Sequence, residues 1–119
     1  MPVQRQLLGG FSQGGVIALQ AGLGELPVAG IVALSTYLPC RDGLPGCAPD
    51  CPPVFQAHGT QDPIVPPTAG EETARWLAAH GVTVDFHRYP MGHAVIPDEI
   101  EDLRTWLQRR YLTHMETTF

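Results

Sequence analysis

Few residues of this sequence are basic. Its 119 residues include seven Lys and Arg against twelve Asp and Glu, for a formal net charge of −5, and no basic run occurs. A nucleic-acid-binding protein needs clustered basic side chains to neutralise successive phosphates. Nucleic acid is therefore not the expected partner.

Long apolar runs are also missing. The longest, such as residues 28–34, fall far short of the ~20 apolar residues that a membrane helix needs. The N-terminus lacks the charged-then-apolar pattern of a secretory leader. We expect a protein that does not span a membrane and is located in the cytoplasm.

Cysteine is scarce and confined to one Pro- and Gly-rich stretch, where the three residues are Cys40, Cys47 and Cys51. An odd number does not suit a disulfide framework, so a reducing compartment fits them best. The spacing contains no CxxC pair and no fourth ligand at a familiar distance, so no metal site is expected.

What remains is typical of one folded domain, because 44% of the residues are hydrophobic and only 16% are charged. Residues 1–112 are expected to form that domain, and residues 113–119, which show no periodicity, a frayed tail. Strands are predicted near residues 6–8, 28–34, 54–58 and 82–89, and the last should lie nearer the edge of the sheet because its apolar residues alternate.

Helical patterns fall between these strands, near residues 13–23, 71–80 and 97–111. Gly24 should take a positive φ after the first helix, and Glu71 and Glu72 should lie in the first turn of the second, which should stop at Gly81. Trp76 and Trp106 are expected to pack against the core. One face of the last helix should carry Ile100, Leu103, Leu107 and Tyr111. The alternation predicts an α/β fold with a doubly wound parallel sheet of about four strands.

A GxSxG motif occupies residues 10–14, between a predicted strand and a predicted helix. In that context the pattern indicates a nucleophile elbow, a sharp turn that exposes the serine hydroxyl. Ser12 is then the nucleophile. Any side chain at position 10 or 14, two residues on either side of Ser12, is expected to collide in such a turn, which explains Gly10 and Gly14.

A serine hydroxyl needs a base to remove its proton and an acid group to orient that base. Asp62 follows the third predicted strand and His93 follows the fourth, so both should reach the same rim of a parallel sheet as Ser12. Asp before Pro also commonly starts a turn, but the position of Asp62 favours the acid. His58 is expected to shape the acid loop, and the other histidines, His80, His87 and His114, are assigned no catalytic role.

At these residues the chain resembles the phospholipase/carboxylesterase family, which includes the acyl-protein thioesterases. The resemblance rests on residues 8–15 and 33–39 and on the Asp62 and His93 segments. It implies the C-terminal half of an α/β-hydrolase fold. The implied enzyme is a cofactor-free hydrolase of small-molecule esters or acyl thioesters, in which Gln13 N–H stabilises the oxyanion.

Only eleven residues precede Ser12, whereas family members carry roughly half their length before the elbow, including the loop that donates the second oxyanion N–H. We therefore expect either that the chain is part of a longer esterase, or that the open edge of its first strand is covered by a second copy or by a separate N-terminal segment. Two alternatives stay open. One is a non-catalytic half-domain acting through self-association, and the other is a dienelactone-hydrolase-like enzyme, which usually has cysteine at the nucleophile position.

Overall fold

The structure, a computed structural model, describes residues 6–24, 28–39 and 51–112. In these residues four parallel strands form one sheet in the order β1-β2-β3-β4, with β1 and β4 at its edges. Three α-helices flank the sheet, and a π-helical segment, Gln108–Leu112, follows the last one. The strands are β1 Leu7–Phe11, β2 Gly30–Leu34, β3 Val54–Gly59 and β4 Val84–Tyr89, and the helices are α1 Gln13–Leu23, α2 Pro67–Ala79 and α3 Pro97–Leu107.

Both faces of the sheet are buried, which explains why β2 is apolar along its whole length and why every residue of β3 is buried, including the polar Gln56 and His58. On one face Ile31 and Val54 pack with α1 and α2 through Leu19 and Leu77. On the other face Phe55 packs against α3, with its ring centroid 5.8 Å from that of Trp106. Helices on opposite faces of a parallel sheet confirm the predicted doubly wound α/β fold.

The strands follow the prediction, with shifted boundaries. The first strand extends through Gly9 and Gly10 to Phe11 instead of ending at residue 8, because β1 pairs with β2 from Leu7↔Gly30 to Phe11↔Leu34. A regular ladder of backbone hydrogen bonds outweighs the low strand preference of glycine. The edge position of the fourth strand is confirmed.

Two expectations about helix ends are wrong. Gly24 has φ −93°, not a positive value, and its N–H donates to Gln20 O at 3.1 Å. The second helix begins at Pro67, so Glu71 and Glu72 lie beyond its first turn. Proline suits the first helical position because it has no N–H to leave unpaired. The predicted stop is confirmed, since Gly81 takes φ 85° just after the helix.

Three of the four residues predicted for the buried face of the last helix, Leu103, Leu107 and Tyr111, pack partly buried against the core. Ile100 is the exception, because it is half exposed, and the most buried residues of α3 are Glu99 and Trp106. Trp76 also packs partly buried against the core, so the packing role predicted for both tryptophans is confirmed.

Several expectations concern residues outside the described ranges, namely Cys40, Cys47, His114 and the tail 113–119. Cys51 is described, and it forms a disulfide, which differs from the reduced state expected for it. Within residues 6–24, 28–39 and 51–112 we find no helix that is long and apolar enough to cross a bilayer.

Candidate active site

The three predicted site residues follow the carboxyl ends of three strands. Ser12 comes directly after β1, Asp62 lies three residues after β3, and His93 lies four residues after β4. Carboxyl ends of parallel strands share one rim of the sheet, which is where open α/β sheets place ligands. The structure brings all three side chains together there.

Ser12 lies in a strained backbone conformation, with φ 58° and ψ −119°, between β1 and α1. Its N–H donates to Leu34 O at 2.9 Å, which ties the turn to the end of β2. A Cβ added at Gly10 would lie 2.2 Å from the carbonyl carbon and oxygen of Gly14. Glycine at position 10 therefore lets the chain fold back closely enough to form the elbow.

At Gly14 the structure does not show the collision that was expected for a side chain. A Cβ added there would have no neighbour within 4 Å among the described residues, so a collision is not the reason for glycine at this position. The restricted neighbour is Gly15, whose added Cβ would lie 2.6 Å from Thr36 Cβ. The elbow is thus close-packed at its first glycine and where the helix meets the end of β2.

Asp62 is held by the loop that follows β3. One carboxylate oxygen, Oδ1, accepts the backbone N–H groups of Ile64 at 2.8 Å and Val65 at 2.9 Å. Val65 O in turn accepts a hydrogen bond from His58 Nε2 at 2.8 Å, and His58 is only 1% exposed. The role expected for His58 in shaping the acid loop agrees with these contacts.

The surroundings of Asp62 favour its ionised form. Burial alone would raise the pKa of this carboxyl, but the hydrogen bonds from His93, Val65 and Ile64 outweigh it and lower the pKa below its ordinary value. The side chain is 0% exposed. Asp62 therefore presents a fixed negative charge to the imidazole of His93.

His93 bridges the other two residues. Its Nδ1 lies 2.8 Å from Asp62 Oδ2 and its Nε2 lies 3.0 Å from Ser12 Oγ. An ionised carboxylate can only accept, so Nδ1 carries the proton and Nε2 accepts the Ser12 hydroxyl. The Phe11 ring lies against the imidazole, with the two centroids 4.7 Å apart.

The first N–H group of α1 belongs to Gln13. The first turn of a helix leaves N–H groups without intrahelical acceptors, and these point out from its N-terminus. In the described part of the chain no backbone carbonyl accepts the Gln13 N–H, whereas Gly15 and Val16 donate to Ser12 O. This N–H beside Ser12 is a suitable donor to a developing negative charge.

Sequence reasoning missed Thr36, which follows β2 and is fully buried. Its hydroxyl donates to Ser12 O at 2.7 Å. Thr36 lies in the segment 33–39 that resembles the family, but nothing in that segment singles out its hydroxyl, because the contact depends on how the ends of β1 and β2 meet. The other described histidines lie elsewhere, with His80 ending α2 and His87 lying in β4.

A scan of residues 6–24, 28–39 and 51–112 gives no group of three or more His, Cys, Asp or Glu side chains arranged to hold a metal ion.

A family model described as phospholipase/carboxylesterase matches residues 1–111. The chain belongs to this family. Acyl-protein thioesterase 1 of Mycosarcoma maydis is 42% identical to it over 118 residues, which cover 92% of this chain and 49% of that protein. The chain spans about half the length of the curated relatives it matches.

Solved structures of similar proteins agree with the family. The Bacillus cereus carboxylesterase superposes with a TM-score of 0.83 at 26% identity, covering 93% of this chain and 52% of that one. Acyl-protein thioesterase 2 of Zea mays gives 0.76 at 27% identity, covering 86% and 54%. The family member described here therefore has the fold of about half of an α/β hydrolase.

Proposed function

We propose that this chain carries the catalytic triad of a serine hydrolase that cleaves carboxylic esters or acyl thioesters through an acyl-enzyme. The observation that supports this most directly is the position of His93, 3.0 Å from Ser12 Oγ and 2.8 Å from Asp62 Oδ2. Serine is a weak nucleophile on its own, and this arrangement supplies both its base and the group that orients the base.

In the first half of the proposed reaction, His93 Nε2 takes the hydroxyl proton as Ser12 Oγ bonds to the acyl carbon. The carbonyl oxygen becomes an oxyanion, which the Gln13 N–H stabilises. Asp62 stabilises the imidazolium that forms. The tetrahedral intermediate then collapses, the bond to the leaving alcohol or thiol breaks, and His93 gives its proton to that group.

In the second half, water enters in place of the leaving group. His93 removes a proton from the water as its oxygen bonds to the acyl carbon, and a second tetrahedral intermediate forms. Its collapse breaks the bond to Ser12 Oγ, which recovers its proton from His93, and releases the carboxylic acid. The steps balance without a cofactor or a metal ion.

The surroundings of the triad support an apolar acyl group as the substrate. Phe11, Ile64 and Val95 are 39%, 67% and 41% exposed, and each lies within two residues of a triad member in sequence. Exposed apolar side chains clustered at one site commonly mark a surface that binds an apolar ligand or partner. The relatives named as thioesterases and carboxylesterases are consistent with either leaving group.

The relatives are about twice as long as this chain, and hydrolases of this fold take a second oxyanion N–H from a loop that precedes the elbow. We propose that the free edge of β1 is where the complementing part of the fold binds. That part is an N-terminal segment or a second copy of the chain. Leu7 and Phe11 on this strand are both more than one-third exposed, which supports an interface there.

A cytoplasmic location remains a proposal. It follows from the shortness of the apolar runs and the odd number of cysteines in the sequence, whereas the disulfide at Cys51 is typical of an oxidising compartment.

Labelling with a fluorophosphonate probe tests the proposed function. We expect wild type to be labelled and Ser12→Ala not to be, because the probe needs an activated serine. The chain has only two serines, Ser12 and Ser35, so mass spectrometry of the labelled peptide identifies the site. Absence of label in wild type, alone and mixed with an N-terminal half from a relative, would refute the proposal.

The half-length match favours one competing function, a non-catalytic half-domain that works by association. It predicts oligomers that neither take up the probe nor hydrolyse p-nitrophenyl butyrate. A folded monomer that turns over this ester would reject it. Serine at position 12 argues against the dienelactone-hydrolase-like alternative, because those enzymes usually have cysteine there.

A further inference from the structure

Thr36 contacts the peptide group that links Ser12 to Gln13. Its hydroxyl donates to Ser12 O at 2.7 Å, the shortest of three hydrogen bonds to that oxygen, since Gly15 N and Val16 N lie at 3.0 and 3.3 Å. The second acceptor near the hydroxyl, Tyr37 O, lies at 3.5 Å. The Thr36 hydroxyl is therefore committed to the backbone of the elbow.

The position of Thr36 is fixed from several sides. It is 0% exposed, and its side chain lies so close to α1 that a Cβ at Gly15 would come within 2.6 Å of Thr36 Cβ and Cγ2. The neighbouring bond from Ser12 N–H to Leu34 O joins β1 to the same end of β2. The hydroxyl thus reaches Ser12 O from a rigid part of the sheet.

A peptide group is planar, so the carbonyl of Ser12 and the N–H of Gln13 turn together. We propose that Thr36 is a positioning residue that aims the Gln13 N–H at the oxyanion by holding the other end of the same peptide plane. A hydrogen bond at the carbonyl also polarises the amide and makes its N–H a stronger donor, by roughly 10–30%. This inference rests on the proposed function.

The strain at Ser12 explains why such a support is needed. With φ 58° and ψ −119°, the residue has a conformation that persists only when the surrounding structure holds it. A rotation of the peptide plane would relieve the strain and turn the N–H away from the reacting carbonyl oxygen. Thr36 opposes that rotation from the side of β2.

Thr36→Val tests the inference, because valine keeps the shape and lacks the hydroxyl, and Thr36→Ser is the matched variant that keeps the hydroxyl and loses the methyl group. The measurement is the rate of Ser12 phosphonylation against probe concentration. For Thr36→Val we expect the maximal rate constant to fall roughly 10- to 100-fold with an unchanged half-saturating concentration, as for a small misplacement of a reacting group. Thr36→Ser should restore most of the rate.

A purely structural role would lower the fraction of protein that can be labelled and leave the rate constant of the labelled fraction unchanged, which would overturn the inference. So would equal rates for wild type and Thr36→Val, or an equally slow Thr36→Ser. Thr36→Ala replaces the valine variant if that one does not fold. An unlabelled wild type would instead refute the proposed function.

A second measurement follows the Gln13 amide proton by NMR. Phosphonylation of wild type should move this resonance downfield as the N–H donates to the phosphonyl oxygen, and the shift should be smaller in Thr36→Val. An equal shift in both proteins would contradict the inference, even where the labelling rates differ.

Discussion

Two buried carboxyl groups have pKa values displaced in opposite directions. Hydrogen bonds lower the pKa of Asp62 below its ordinary 3.8 although its burial alone would raise it. Burial raises the pKa of Glu99 above its ordinary 4.5, and the backbone of Ile96 offsets this only in part. Both oxygens of Glu99 lack a hydrogen-bond partner of ordinary geometry among the described residues.

The two groups should therefore change the stability of the fold with pH in opposite senses. The contribution of Asp62 is complete above its ordinary pKa of 3.8 and is lost as the pH falls through its lower native value. The contribution of Glu99 is largest below its ordinary 4.5 and is lost as the pH rises through its higher native value, because charge must then be buried.

The free energy of unfolding in urea, measured between about pH 3 and pH 8, tests both contributions. Asp62→Asn should remove the loss of stability on the acid side. Glu99→Gln should remove the decline above pH 4.5, the ordinary pKa of this side chain. Asp98→Asn is the control, since it makes the same charge change at an exposed neighbour. A Glu99→Gln profile parallel to wild type would contradict the assignment.

The three triad positions could be predicted from sequence because each follows a recognisable strand. Ser12 has flanking glycines, and Asp62 and His93 lie in short loops after apolar runs. Thr36 could not be predicted, since its partner is a carbonyl 24 positions away. A side chain that contacts backbone through tertiary structure leaves no local pattern.

At the scale of elements, the two glycines of the elbow motif differ in how much space surrounds them. An added Cβ at Gly10 would meet the backbone of Gly14 at 2.2 Å, and one at Gly14 would meet nothing within 4 Å. Backbone cannot move aside as a flexible side chain can. The same methyl group should therefore have opposite effects at the two positions.

We predict that Gly10→Ala destabilises the protein by about 3 kcal/mol or more, since overpacking against backbone requires the elbow to shift. Gly14→Ala should stabilise it by roughly 0.5–1 kcal/mol, because alanine loses less chain entropy than glycine in a helix. Urea denaturation of the two variants beside wild type measures both changes. Equal losses in the two variants would show that Gly14 is also confined.

The helix ends show where local patterns give the wrong boundary. Glycine takes positive φ after many helices, whereas Gly24 has φ −93° although its N–H makes an ordinary helical bond to Gln20 O. On α3 the predicted stripe residues Leu103 and Leu107 pack beside Trp106 and Phe55, and only Ile100 is turned out to half exposure. Local propensity locates a helix or strand approximately along the sequence. Tertiary packing decides the residue at which it ends and which of its faces is buried.

At the scale of the whole molecule, the sheet formed by residues 6–24, 28–39 and 51–112 has two paired central strands, and β1 and β4 lie at its edges. The four parallel strands were predictable because helical patterns or a long loop separate short, largely apolar runs, as parallel connections require. The lining of the substrate site was not predictable in the same way. In a chain that spans about half of its relatives, local patterns cannot report surfaces built by the other half.

The free edge of β1 leads to a prediction about association. Among the strands that the structure describes, β1 pairs with β2 alone, and Leu7 on the strand is 42% exposed. An uncovered edge with apolar side chains is a template for pairing with another chain. Without an N-terminal partner, the chain should therefore self-associate with rising concentration.

Leu7→Lys should weaken this association, because a charge on an edge strand must be desolvated when a second strand pairs with it. Ile100→Lys is the matched control, since Ile100 is 50% exposed on α3, away from β1. Sedimentation velocity across a wide concentration range should show oligomers for wild type and the control and mainly monomer for Leu7→Lys. If the two variants dissociate alike, the contact lies elsewhere. If wild type stays monomeric at every concentration, an N-terminal segment is the expected partner of this edge. Adding that segment from a relative should then give a complex that Leu7→Lys disrupts.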